Sequence, residues 1–195
     1  EAINLAVIAE LPLVVVNVPR GGPSTGLPTK SEQTALMQAV YGRNGESPLV
    51  VIAATSPTIC FDSAYMASKI ALEHMTPVIL LTDGFIANGS AAWKIPSLKE
   101  YPAINPPYVT PEMQEGWKPY QRDLETMVRS WAIPGTEGFQ HRLGGLEKDY
   151  DTSAISTDAS NHQKMTLTRQ AKIDYIANCI PEQEVLGDKD DAELL

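Results

Sequence analysis

Three short apolar runs constrain this chain more than anything else in it. They are Leu13-Val14-Val15-Val16, Leu49 through Ala54, and Pro77-Val78-Ile79-Leu80-Leu81. Each reads as a strand apolar on both faces, which a parallel sheet covered by helices requires and a half-solvated antiparallel sheet does not. Helical patterns lie between them. Residues 1–10 carry Ile3, Leu5, Ala6, Ile8 and Ala9 at helical spacing. Residues 30–41 predict a helix with Leu36, Met37, Val40 and Tyr41 on its buried side and Gly42 near its end. A long helix follows Ser56 or Thr58 as cap, with Pro57 in its first turn. Its stripe is Phe61, Tyr65, Leu72 and Met75, widened by Ile59, Met66 and Ile70. Strand and helix alternate, so the fold class is α/β, a parallel sheet with helices on both faces. The run at 13–18 is expected to be a central strand.

Such sheets bind ligands beyond the C-terminal ends of their strands. The loops at 19–29, 54–58 and 82–90 converge there. The first is the most specific stretch of the chain, Arg20-Gly21-Gly22-Pro23-Ser24-Thr25-Gly26. Between a strand and a helix, a Gly-rich turn offers backbone N–H groups to an anion, and Arg20 adds a planar cation suited to carboxylate or phosphate. The same residues also make an ordinary turn. Neither G-x-x-x-x-G-K-[ST] nor G-x-G-x-x-G is present, so the stretch is not a nucleotide fingerprint. Asp83, at the third strand's end, either faces a ligand or caps the next short helix.

The net charge of −9 excludes nucleic acid as a general partner, which needs a basic surface. No long apolar run suggests a membrane span. Cys60 and Cys179 are far apart, with no CxxC, and fit a reducing, cytoplasmic compartment; Cys60 is expected to be packed and inert.

Beyond Trp93 the character changes. Residues 94–135 are rich in proline, with Trp117, Trp131 and several tyrosines. This is too long for a plain connection and too aromatic for free disorder, so it reads as an ordered arm or lid. Gly138, Gly144 and Gly145 then accompany His141-Arg142 and Glu147-Lys148-Asp149. His141, lacking a nucleophile or paired carboxylate nearby, is expected to brace a loop. Residues 160–179 predict a helix with Lys164, Arg169 and Lys172 on its solvated side, stopped by Pro181. The absence of an N-cap at the start, and Asp188-Lys189-Asp190-Asp191 leading to Leu194-Leu195, give the expectation of a segment of a larger protein. The division expected is a core over 1–93, an arm and Gly-rich loop over 94–150, and a helix and linker over 151–195.

The stretch from Leu11 to Thr29, with its R-G-G-P-S-T-G-x-P-T string, closely resembles the 2-oxoacid:ferredoxin oxidoreductases, and within them the alpha subunit of the 2-oxoglutarate type. Leu49 to Ser56, Thr76 to Gly84 with Ala87-Asn88-Gly89, and His141 to Asp149 agree. The resemblance implies the domain that holds the aminopyrimidine end of thiamine diphosphate. Magnesium and the diphosphate would sit on a partner beta subunit, which would also carry an iron–sulfur cluster. The implied reaction converts a 2-oxoacid and coenzyme A to acyl-CoA and CO₂, with electrons passing to ferredoxin. Arg20 is then expected to clamp the substrate carboxylate. Gly21 and Gly22 would allow close approach, and Ser24 and Thr25 would donate hydrogen bonds or shape the loop. No catalytic residue is implied in this chain. The family's Thr motif for the carboxylate and its Glu for the aminopyrimidine lie upstream of the string, and this chain contains neither. Pro19 stands where many relatives have a polar residue. The chain by itself is therefore expected to be inactive, with contacts to the beta subunit and between alpha subunits. The alternatives are pyruvate or branched-chain 2-oxoacid specificity, a non-catalytic subunit-interaction domain built on the arm, and a stand-alone anion-binding domain.

Overall fold

The computed structural model describes residues 1–32, 34–182, 187, 188 and 191. Its frame is a parallel sheet of β1 (Leu13–Asn17), β2 (Val50–Ala53) and β3 (Pro77–Leu81) in the order β1-β3-β2. Leu13 pairs with Pro77 and Asn17 with Leu81; on the other side Val50 pairs with Val78 and Ala53 with Leu81. The central strand is therefore β3, buried along its whole length, and not β1. The expectation for β1 is corrected because alternating burial cannot be read from a run that is apolar throughout. At the sheet's edge Val16 is 57% exposed.

Side chains alternate across β3 and feed two cores. Val78 and Leu80 pack with Ala67, Ile70 and Ala71 of α3 (Cys60–His74) and with Ile176 of α5 (Ala159–Ala177). On the opposite face Ile79 and Leu81 pack with Ala39 of α2 (Thr34–Tyr41) and with Ile3 of α1 (Ala2–Ala9). Helices thus cover both faces. A short α4 (Gly84–Asn88) follows β3.

Two helical faces differ from expectation. In α2 the buried residues are Ala35 and Ala39; Leu36, Met37, Val40 and Tyr41 are exposed, Met37 by 63%. Small residues let α2 lie close to the sheet, and the large ones turn outward. This helix also begins at Thr34, so 28–32 remain loop. In α3 the expected Ile70 and Met66 do meet the sheet, beside Ala67 and Ala71, and Met75 just past the helix is fully buried. Phe61 and Tyr65 instead meet the arm, with Tyr101 edge-on to both at 5.3 and 4.9 Å and Trp93 5.8 Å from Phe61. A 3-10 turn at Pro57–Ile59 opens α3, and Cys60, only partly buried, donates to the Ser56 carbonyl.

The arm is ordered by aromatic contacts rather than by long strands. Tyr108 stacks on Trp131 at 5.5 Å and bridges to it through the backbone. Trp117 meets Phe139 and His141 edge-on. The acidic stretch leading to Leu194-Leu195 lies mostly outside the described residues: Lys189, Asp190, Leu194 and Leu195 are not described. No helix among the described residues is long and apolar enough to cross a membrane.

Candidate functional site

The loop after β1 is closed by its own backbone. Gly21 N–H donates to the Lys30 carbonyl at 3.1 Å, Leu27 N–H to the Gly21 carbonyl at 2.6 Å, and Gly26 N–H to the Pro23 carbonyl at 3.1 Å. Gly26 has φ 63°, and a Cβ there would lie 1.6 Å from the Gly21 carbonyl oxygen. Only glycine closes this loop. Ser24 and Thr29 also adopt positive φ, and the Gly22–Pro23 peptide is cis.

The strand-end loops meet as the topology requires. Gly84 N–H donates to the Pro19 carbonyl at 2.9 Å, and a Cβ on Gly84 would sit 3.3 Å from Arg20 Cβ. Ser31 Oγ donates to Asp83 Oδ2 at 3.1 Å. Asp83 Oδ1 accepts from Ile86 N–H at 2.6 Å, so Asp83 is the N-cap of α4.

Of the residues singled out in the sequence, Arg20 is half-buried and makes no hydrogen bond or ion pair with any described residue. Ser24 and Thr25 are exposed at the loop's tip. Gly21 and Gly22 differ from the glycine cradle of the sequence reading. Their N–H groups are already taken, Gly21 by Lys30 and Gly22 by Glu32 Oε2 at 3.1 Å. Among the described residues of this loop the side-chain cations without a partner are Arg20, half-buried at the strand end, and Lys30, exposed; the guanidinium is the one whose planar donors suit a carboxylate. Glu32 escaped the sequence reading because a helix predicted from Lys30 puts it in the first turn, where an acidic residue is ordinary.

A second polar cluster lies at the other end of the sheet, and it was also missed. Glu10 closes α1 in a left-handed conformation (φ 52°) and is buried. Its carboxylate accepts from Lys172 Nζ at 2.6 Å and from Arg122, whose Nε lies at 2.9 Å. Arg129 donates to the Glu10 carbonyl at 3.0 Å and Lys148 to the Ile8 carbonyl at 2.9 Å. Burial pushes the Glu10 carboxyl up, but Lys172 and Arg122 outweigh it and hold the pKa down at about 2. Burial pulls Lys148 down to about 8. Arg169 and Lys172 are 8% and 5% exposed, not on a solvated face. Arg169 pairs with Glu46 and Glu147, and Lys172 with Glu10. This cluster ties the start of the chain to the arm and to α5. His141 Nδ1 bonds the Phe139 carbonyl at 2.8 Å and its ring meets Trp117 edge-on, so it braces its own loop.

The sequence pattern of the pyruvate flavodoxin/ferredoxin oxidoreductase family, thiamine-diphosphate-binding domain, matches residues 1–161. The chain is 53% identical, over its whole length, to the 2-oxoglutarate oxidoreductase subunit KorA of Mycobacterium tuberculosis, and spans 29% of that relative. It is 41% identical over 51% of its length to the 2-oxoglutarate synthase subunit KorA of Archaeoglobus fulgidus, again covering 29% of the relative. Its fold is similar to the 2-oxoglutarate:ferredoxin oxidoreductase of Magnetococcus marinus solved with 2-oxoglutarate, coenzyme A and succinyl-CoA bound. The TM-score is 0.86 at 30% identity, over 98% of this chain and 33% of that one. The chain thus spans about three-tenths of the length of these relatives.

Proposed function

The chain belongs to the pyruvate flavodoxin/ferredoxin oxidoreductase family, and on that premise we propose that it is part of the alpha subunit of a 2-oxoglutarate:ferredoxin oxidoreductase. The reaction is oxidative decarboxylation: 2-oxoglutarate and coenzyme A give succinyl-CoA and CO₂, and ferredoxin takes the electrons. The observation that carries this chain's share is Arg20, a guanidinium at a strand end with no partner among the described residues. A bidentate guanidinium orients the 2-oxoacid carboxylate and offsets its charge until CO₂ leaves. Ser24 and Thr25 border the same approach.

Thiamine diphosphate is the cofactor of the family's domain. Magnesium, an iron–sulfur cluster on a partner beta subunit, contacts between alpha subunits and a cytoplasmic setting are parts of the same proposal. Glu32 and Asp83, the carboxylates at the Arg20 end of the sheet, are engaged by Gly22, Ile86 and Ser31. Asp83, with both carboxylate oxygens engaged, does not fit the grip on an aminopyrimidine, and substrate binding through Arg20 is the role proposed for this loop. The proposed division is a core over 1–93, an arm and Gly-rich loop over 94–150, and a helix and linker over 151–195, with α5 packed on the core through Ile176.

The test uses the full subunit assembled with its beta partner, following coenzyme A-dependent viologen reduction. Reduction with 2-oxoglutarate well above that with pyruvate or a branched-chain 2-oxoacid is expected. Reduction with pyruvate alone would contradict the substrate assignment.

A further inference from the structure

The loop that carries Arg20 is held at its neck by one backbone rung and one side chain. Gly21 N–H goes to the Lys30 carbonyl, a backbone rung between entry and exit. Beside it, Glu32 reaches back from the exit and accepts from Gly22 N–H at 3.1 Å. Its Oε2 lies 3.7 Å from where a Cβ on Gly21 would be, with Leu27 Cδ1 at 3.5 Å on the same position. The carboxylate therefore sits over the Gly21–Gly22 peptide, immediately after Arg20. One residue earlier, Ser31 is moored to Asp83, which is itself fixed as the α4 cap. Entry and exit of the loop are thus anchored to one another and to β3. Glu32 lies before α2 begins, and its Oε2 is turned back onto the Gly22 N–H.

We propose that Glu32 is a positioning residue for the 2-oxoacid: by accepting the Gly22 N–H it fixes the backbone from which Arg20 projects. This rests on the reading of Arg20 as the carboxylate clamp. A guanidinium on a four-bond stem loses rotamer freedom when it binds, and an anchored backbone reduces what remains to be ordered. Glu32 touches neither substrate nor reacting atoms in this scheme; it acts through Arg20. The function it serves needs an acceptor oxygen at that place, which Gln also provides and Ala does not.

The experiment compares Glu32→Ala, Glu32→Gln and Arg20→Ala in the full subunit with its beta partner. Glu32→Ala is expected to raise KM for 2-oxoglutarate about fivefold, the worth of one ordinary hydrogen bond. KM for coenzyme A should stay within about twofold, and Glu32→Gln should restore most of the loss. Hydrogen exchange at the Gly22 amide should be slow in the wild type and in Glu32→Gln, and faster in Glu32→Ala. Unchanged or tighter 2-oxoglutarate binding in Glu32→Ala, with Arg20→Ala impaired, would overturn the role of Glu32 alone. A Glu32→Gln variant as weak as Glu32→Ala would do the same, since charge rather than the acceptor would then matter. Unimpaired Arg20→Ala would overturn the clamp and this inference together.

Discussion

Two guanidinium sites sit at opposite ends of one sheet. Arg122 is buried beside Glu10, flanked by Tyr120 and Tyr150, and its donors reach the carboxylate and the Tyr150 carbonyl. Arg20 is half-buried, on a loop tied almost wholly by backbone, and has no described partner. Burial takes a charge out of water and demands a partner in the fold. Partial exposure leaves a charge hydrated and available. The first cation is therefore committed to stability and the second is free for a ligand.

The sharpest way to break the comparison is to remove the anion from the buried end. Glu10→Gln takes the carboxylate from Lys172 and Arg122, which donate to it directly, and should cost about 3–5 kcal/mol in urea unfolding of the full subunit. Acid should act on the same group. Because the folded pKa of Glu10 is about 2, below the ordinary value of 4.5, the stability it contributes is present above pH 4.5. It is lost as pH falls from there toward 2. Glu10→Gln should flatten that part of a stability-against-pH curve.

At the other end the perturbations are smaller and local. Gly26→Ala meets both a positive φ and the Gly21 carbonyl, and should cost about 1–3 kcal/mol, read as faster exchange of the 21–27 amides. Asp83→Ala removes the α4 cap and the Ser31 mooring, for about 1 kcal/mol. If either destabilised the protein as much as Glu10→Gln, the division between a stability end and a ligand end would fail.

The sheet was legible because Pro77-Val78-Ile79-Leu80-Leu81 has no polar residue to place outside, and β3 is indeed buried throughout. The loop was legible because its glycines and proline punctuate a strand end. What escaped the reading depended on distant partners. Local spacing puts Arg169 and Lys172 toward water because charges prefer it. Glu46 and Glu10, which they meet, lie more than a hundred residues away in sequence and come close only through the fold, and Glu147, the second partner of Arg169, stands on a separate loop. The inward face of α2 was misread because periodicity locates a stripe without saying whether its large or its small residues meet the sheet. Glu32 was hidden by a helix start predicted too early. In each case the local pattern was real and the tertiary contact decided its meaning.

The central claim is that Arg20 is held available for a carboxylate rather than invested in the fold. Arg20→Ala in the assembled enzyme tests it, measured as kcat/KM for 2-oxoglutarate beside the urea midpoint. The account predicts a fall of at least about thirtyfold in kcat/KM, about 2 kcal/mol of transition-state stabilisation, with stability within about 0.5 kcal/mol of wild type. An unchanged kcat/KM, or a loss of stability that matches the loss of turnover, would contradict it.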